Sequence, residues 1–290
     1  MKSSFSSGRE LTPSELEFHV GELGEQGYTI IPDAVDAEYL APAIEAAEDI
    51  YQRESEIALR LGTSSEHCWS AHCIVGKHPF FETFFLNPPV LSVCREYLGE
   101  DMVLYDTTAR SIRPSEGREP GRGFQIHADR SPFSIVPFEG GKHYPMAINV
   151  AWPVVDFTAE NGATLVWPGT HNSCRIPDPD ADTPGSHQAV VPAGTAIVWD
   201  AALWHASGIN RSNHERHSIL AFFHRWWVKG MIDNARVIPQ SVQDRLLPEM
   251  RKLLGLEETI PEYTEVRALS PEQIKRLTPW EKDVLGIGTY

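Results

Sequence analysis

The sequence predicts a mainly β protein with flanking helices, and three observations carry that prediction. From Met102 to about Trp227 the chain is rich in Val, Ile, Thr, Phe and Trp, residues that suit a pleated, half-buried surface. Pro/Gly clusters (EPGRG, PFEGGKHYP, ENG, PGTH, TPGS, PAG) break that stretch at intervals expected of short strands in a sandwich or barrel. On either side, the pattern changes to capping signals and apolar residues at helical spacing. No internal repeat or low-complexity linker interrupts the 290 residues. The simplest organisation is a single domain over 1–290: a mostly helical buttress over 1–100, a β core over 101–228 and a helical extension over 229–290.

Taken in order, Thr12-Pro13-Ser14-Glu15 is a capping box, with Pro at the first helical position. Leu16, Val20 and Leu23 follow at helical spacing, and Gly24 and Gly27 end the helix. Tyr28 to Pro32 is a strand. A long helix runs from about Tyr39 to Leu61 with Gly62 as its stop, and Pro42 marks its first turn or a kink. A shorter helix covers Pro89 to Leu98. Beyond the β core, Val242 to Leu254 is helical up to Gly255, although Pro248 lies inside it. Two more capping boxes begin at Ser270 and Thr278.

Charge and composition exclude several functions. Asp plus Glu number 40 against 25 Lys plus Arg, a net charge of −15. That field repels phosphate backbones and anionic membranes, so neither nucleic acid nor membrane is an expected partner. No apolar run approaches the roughly 20 residues that span a bilayer, and the opening MKSSFSSGRE has no apolar core of a signal peptide. The four cysteines form no CxxC pair and read as reduced thiols. A cytoplasmic protein is expected, as a monomer or homodimer.

The chemistry centres on Phe124-Gln125-Ile126-His127-Ala128-Asp129. Strand side chains alternate, so His127 and Asp129 point to one side and can fill adjacent vertices of a metal's coordination sphere. An HxD triplet alone carries little weight. Trp204-His205, 76 residues past Asp129, is the best third ligand. Two imidazoles and a carboxylate on one face leave open positions, the arrangement of non-haem Fe(II) oxygenases. Eleven residues past His205 comes Arg216, opening an apolar strand from His217 to Val228. Its planar fork can grip the distal carboxylate of 2-oxoglutarate, and Ser207 can add a hydrogen bond. Leu220, Phe222, His224 and Trp226 share Arg216's parity on that strand. Iron suits this site because it changes oxidation state and zinc does not.

The ordered set FQIHAD, VVDFTAENGATLVWPGTH (Val154 to His171) and WHASGIN with Arg216 resembles the phytanoyl-CoA dioxygenase family of 2-oxoglutarate oxygenases. Its distinctive part is Glu160-Asn161-Gly162-Ala163-Thr164 followed by Pro168-Gly169-Thr170-His171. The N-terminal Gly-Tyr-x-Ile-Ile-Pro-Asp-Ala and Phe-Leu-Asn-Pro-Pro-Val-Leu runs also fit, so the resemblance covers roughly 12–255 and fades in the last 35 residues. It implies a double-stranded β-helix, a cupin-like jelly roll, with the iron inside one end. It also implies Fe(II), 2-oxoglutarate and O2, with His127, Asp129 and His205 as metal ligands and Arg216 and Ser207 on the co-substrate. Thr164 and Asn149 lie where family members contact the oxoacid, and Arg110 or Gln125 could add to that contact. The implied reaction oxidises an unactivated C–H bond of a small-molecule substrate and releases succinate and CO2. The carboxylate at Asp129 points to hydroxylation, desaturation or a related oxidation, since related halogenases carry a small residue there.

Other readings compete for single segments. Glu66-His67-Cys68-Trp69-Ser70-Ala71-His72-Cys73 could bind zinc, but lacks the usual knuckle spacing. A substrate-facing role for Trp69 or His72 is the alternative, with Arg110 and Trp226 as further substrate candidates. His171 reads as a hairpin stabiliser, and His214 and His217 lack His205's spacing to a following Arg. Arg118, Arg122, Arg130 and Lys142 could form a local basic patch for a CoA thioester. The rival functions are a cupin-type metal enzyme without an oxoacid and a non-catalytic binding module.

Overall fold

The computed structural model describes residues 8–61, 68–117, 124–129, 144–256 and 270–284. The chain divides into two compact units, 1–256 and 257–290. In the first unit, Thr12 caps helix α1 (Pro13–Gln26) through the predicted capping box, and Gly27 ends it at φ +81°. Strand β1 (Tyr28–Ile31) follows at once. Helix α2 (Leu40–Leu61) keeps Pro42 in its first turn, where no intrahelical N–H is required; Gly62 lies outside the described residues. After strand β2 (Cys68–His72) come α3 (Phe81–Phe84) and α4 (Pro88–Leu98).

Strand β3 (Val103–Ile112) begins the core, continued by β4 (Ala147–Pro153), β5 (Leu165–Val166), β6 (His187–Gln188), β7 (Ala196–Asp200), β8 (His205–Ala206) and β9 (Arg216–His224). They form two antiparallel sheets. The larger runs β1-β7-β4-β9-β3-β2 and the smaller β6-β5-β8, with His127 bridging the outer side of β8. Central strand β4, AINVAWP, is buried along its whole length and reads as a continuous apolar run. This is a jelly-roll core flanked by helices.

Register decides which side chains meet which layer. Ile148, Val150 and Trp152 of β4 and Ile219, Ala221 and Phe223 of β9 face outward, packing with Leu23, Ala43, Ile50, Val90 and Cys94 of the helices. Phe84 and Phe85 meet Trp152 edge-on, with centroids at 5.5 and 5.9 Å. On the opposite face of the sheet, Ala151 of β4, Ile197 and Trp199 of β7 and Leu220 of β9 pack with Phe157, Val166 and Leu203 between the two sheets. One end of that inner layer is polar, and there the candidate site lies.

Two expectations are corrected. The helix expected from Val242 to Leu254 is two short ones, α6 (Gln240–Gln243) and α7 (Pro248–Leu253), after α5 (Asn234–Val237). Pro248 cannot donate the interior hydrogen bond, so it opens a helix rather than continuing one. The strand expected to reach Val228 ends at His224. In the second unit, Ser270 and Thr278 cap α8 (Pro271–Lys275) and α9 (Pro279–Val284) as the sequence indicates. No described helix is long and apolar enough to cross a membrane.

Candidate active site

His127 and His205 lie side by side because their backbones pair. The His127 N–H donates to the His205 carbonyl at 2.9 Å, and the His205 N–H returns the bond at 2.8 Å. Their rings sit 4.3 Å apart. Each Nδ1 lies 2.8 Å from a backbone carbonyl two residues upstream, Gln125 for His127 and Leu203 for His205. A carbonyl only accepts, so each Nδ1 carries the proton and each Nε2 lone pair is left toward the cavity. That is the tautomer a metal ligand requires.

Asp129 completes the set, with its carboxylate oxygens 3.7 Å from His127 Nε2 and 3.3 Å from His205 Nε2. Donor atoms of the three residues lie within 4.8 Å of one another, so they can hold one metal ion. The Asn149 amide, on the inner face of β4, donates to Asp129 Oδ2. Burial alone would raise the Asp129 carboxyl, but His205, then His127 and the Asn149 hydrogen bond outweigh it and hold it at about 2. Burial pushes the His127 pKa down, and His205 adds to that. For His205 burial also acts downward, yet the facing Asp129 wins and the net direction is up. The site presents a fixed anion between two imidazoles whose Nε2 atoms converge on it.

The far wall is built by β9 and the hairpin before β5. Arg216, 3% exposed, opens β9 and donates to the Gly162 carbonyl. Its guanidinium lies over the Phe157 ring at 4.4 Å. Its Nε is buried without a hydrogen-bond partner among the described residues. Burial pushes this cation down to about 9, with Arg110 adding to the push. The hairpin is held by Asn161, whose Oδ1 accepts from the Thr158 N–H at 2.8 Å and whose amide donates to the Asp156 carbonyl at 2.7 Å. Between the walls is a cavity of about 120 Å³, lined by His127, Asp129, His205, Thr164, Ser207, Arg110 and Arg216 with Ala151, Phe157, Trp199, Leu220 and Phe222. A liquid water occupies about 30 Å³, so this space suits a small, polar guest.

Several predicted residues lie elsewhere or act differently. Gln125 turns outward to Asp180 at 3.0 Å and offers the site only its carbonyl, because the chain bends at 124–125 instead of running as a regular strand. The Asn149 amide is engaged by Asp129. Trp69 occupies the outer face of β2, stacked on Tyr51 at 4.8 Å, since residues opposite the inward Ser70 and His72 must point away. Trp226 lies two residues past the end of β9 and is 50% exposed. Of its strand-mates, Leu220 and Phe222 line the cavity, whereas His224 stacks on Tyr105 at 4.8 Å. His72 shares the inner face with Arg110 and lies 2.7 Å from Asp106 Oδ2 through Nδ1. Cys68 and His72 belong to a strand, and among the described residues no metal-type cluster forms besides His127, Asp129 and His205; Glu66 and His67 lie outside the described residues, as do Arg118, Arg122, Arg130 and Lys142. His171 is buried beside Gly27 and lies 3.3 Å from the Gly24 carbonyl, a packing position. Sequence reasoning missed Phe157, whose position in VVDFTAENG was its only signal.

Residues 23–218 match the phytanoyl-CoA dioxygenase (PhyH) family. The dioxygenase af480 of Aspergillus fumigatus is 28% identical over 182 residues, 61% of this chain and 55% of that protein. The match thus spans about half the length of that relative. The uncharacterized protein Rv1501 of Mycobacterium tuberculosis is 27% identical over 243 residues, 79% of this chain and 82% of that one. Among solved structures, the epimerase SnoN, in complex with Fe3+, alpha ketoglutarate and nogalamycin RO, has a TM-score of 0.57. It covers 74% of this chain and 85% of that one at 18% identity, which shows a shared fold.

Proposed function

The chain belongs to the phytanoyl-CoA dioxygenase family, which uses Fe(II), 2-oxoglutarate and O2, and from that premise we propose that it oxidises an unactivated C–H bond of a small-molecule metabolite, by hydroxylation or desaturation. In this reading His127, Asp129 and His205 hold the iron, and Arg216 takes the distal carboxylate of 2-oxoglutarate. When bound, the iron couples decarboxylation of the oxoacid to oxidation of the substrate. SnoN, of the same fold, was solved in complex with both alpha ketoglutarate and nogalamycin RO, which supports a small-molecule substrate here.

The donor set fits the metal: two neutral-capable imidazoles with their Nδ1 atoms already engaged, and one carboxylate that stays ionised down to about pH 2. The observation that carries the co-substrate assignment is Arg216, a buried cation with an unpaired Nε across one small cavity from that set. Burying a charge without a counter-ion is costly, and a dicarboxylate entering the cavity supplies one. Thr164 and Ser207 line the same space and can hydrogen-bond the oxoacid. Asn149 orients Asp129, while Phe157, Leu220 and Phe222 keep the space dry around the charges. Ser207 and Thr164 bind, Arg216 orients, and the two backbone carbonyls hold the imidazole protons at Nδ1 throughout.

The test is anaerobic. Fe(II) and then 2-oxoglutarate are added to metal-free protein, and the weak visible charge-transfer band of a chelated oxoacid is followed. The band forms in the native protein, is lost in His127→Ala, and needs far more oxoacid in Arg216→Ala. Iron binding without a band would refute the co-substrate assignment and favour a cupin-type enzyme or binding module.

A further inference from the structure

Arg110 is the group in the cavity to which the chemistry above gives no task. It lies on β3 opposite Ser218 of β9 and lines the same space as the three donors and Arg216. Its Nε is buried with no hydrogen-bond partner among the described residues. Its Nη2 donates to Ser207 Oγ at 3.4 Å, beyond the usual length for such a bond. Among the described residues no carboxylate forms an ion pair with it.

Charge balance turns this into a statement about a ligand. Asp129 and 2-oxoglutarate bring three negative charges, and a metal dication with Arg216 brings three positive ones. Arg110 is then the single unbalanced charge among the described lining groups. Depth separates the two guanidiniums: Arg216 is buried at the cavity floor, whereas Arg110 is only partly buried and lies nearer the open β2 edge. From Arg110 toward that edge the inner face stays polar, with Thr108, Ser70 and the paired His72 and Asp106. The other wall, Ala151, Phe157, Leu220 and Phe222, is apolar.

We propose that Arg110 binds a carboxylate of the substrate, which is therefore an organic acid with an apolar skeleton, its acid end over β3 and β2 and its reacting carbon toward the metal ligands. A planar guanidinium with free donors matches a carboxylate in a two-pronged geometry. The inference rests on the assignment of Arg216 to the co-substrate.

The experiment is calorimetric titration of the anaerobic Fe(II) and 2-oxoglutarate-loaded protein with 4-phenylbutyrate, octanoate and the matching amides. At least one acid binds about ten- to a hundredfold more tightly than its amide, the ratio expected of a charge-assisted hydrogen bond. Arg110→Gln erases that preference, Arg110→Lys keeps part of it, and both retain native melting and oxoacid affinity. Acids and amides binding alike, or neither binding, overturns the proposal. So does a loss of oxoacid affinity in Arg110→Gln comparable to that in an Arg216→Gln control, because Arg110 would then belong to the co-substrate. Failure of the native protein to show the oxoacid band is a different outcome: it sinks the function proposed above and this inference with it.

Discussion

Gly162 tests how the second wall of the site is held. It lies at φ +77° in the hairpin before β5, and its carbonyl accepts from Arg216. A Cβ there would overlap the Gly208 carbonyl oxygen and come within 2.6 Å of Gly208 C and 2.7 Å of Ile209 C, all backbone. Gly162→Ala therefore carries two penalties. The left-handed conformation costs about 1–2 kcal/mol for a residue with a Cβ. Pushing the hairpin away from the segment after β8 costs about 1–3 kcal/mol more, as overpacking does. Gly185→Ala separates the terms: φ is +89° there, yet nothing lies within 4 Å of the new methyl, so only the first applies. Urea unfolding of both variants measures the difference, expected at about 1–3 kcal/mol. The shift also displaces the carbonyl that orients Arg216, so affinity for 2-oxoglutarate, read by the anaerobic band, falls by about tenfold in Gly162→Ala, within the worth of one charge-assisted hydrogen bond. It is unchanged in Gly185→Ala. Equal destabilisation of the two variants, or intact oxoacid affinity in a destabilised Gly162→Ala, would refute the reasoning.

Three further outcomes follow from the geometry. Asn149→Ala removes the donor on Asp129 Oδ2 and lowers metal affinity by about ten- to a hundredfold, measured by competition with a chelating dye; an unchanged affinity would mean the amide does not set the carboxylate. Phe84→Ala empties a fully buried ring site against Trp152 and destabilises by about 3–5 kcal/mol, while metal affinity of the folded protein stays the same. Burial holds the His19 pKa below 6.5, against the pull of Glu22 and Glu15. The unfolded chain thus binds the extra proton first, and stability contributed by the neutral imidazole is lost as pH falls below about 6.5. His19→Gln flattens the fall in melting temperature between about pH 7 and pH 5; an unaltered slope would assign that fall to other groups.

What the sequence made legible was set by spacing, and what it concealed was set by direction at strand ends. His127, Asp129, His205 and Arg216 are singled out by spacing, two, 76 and eleven residues apart, and the fold brings them around one cavity. Capping boxes at Thr12, Ser270 and Thr278 were equally visible, being local hydrogen-bond arrangements. Alternation along β9 gives Leu220, Phe222, His224 and Trp226 one parity and leaves lining and packing both open; Leu220 and Phe222 line the cavity, while Trp226 lies past the strand's end, because nothing in an apolar run marks where pairing stops. Gln125 also points elsewhere. The family resemblance makes it a residue that could add to the oxoacid contact, but the chain bends there and the side chain finds Asp180. Trp69 and His72 adjoin one metal-like motif in sequence, yet a strand sends them to opposite faces.

The inner face of the larger sheet also shows why such a site stands out against its fold. A core strand normally presents apolar residues to a buried layer. β9 does so at Leu220 and Phe222 but not at Ser218 and Arg216, and the facing stretch of β3 carries Asp106, Thr108 and Arg110. Asp106 and Thr108 are satisfied locally, by His72 and by backbone N–H groups. The Nε atoms of the two guanidiniums are not, among the described residues, and neither side chain has a carboxylate partner there. A fold selected for stability alone would replace them with apolar side chains, an exchange that is often neutral or stabilising. Their retention at one end of an otherwise apolar layer is therefore accounted for by what enters the cavity. Arg216→Leu should leave the ligand-free protein at least as stable as the native chain while abolishing the gain in melting temperature that 2-oxoglutarate confers on the metal-loaded native protein. If that variant instead loses stability without ligand, the guanidinium is a structural cation, and the anionic guests inferred for both arginines lose their physical basis.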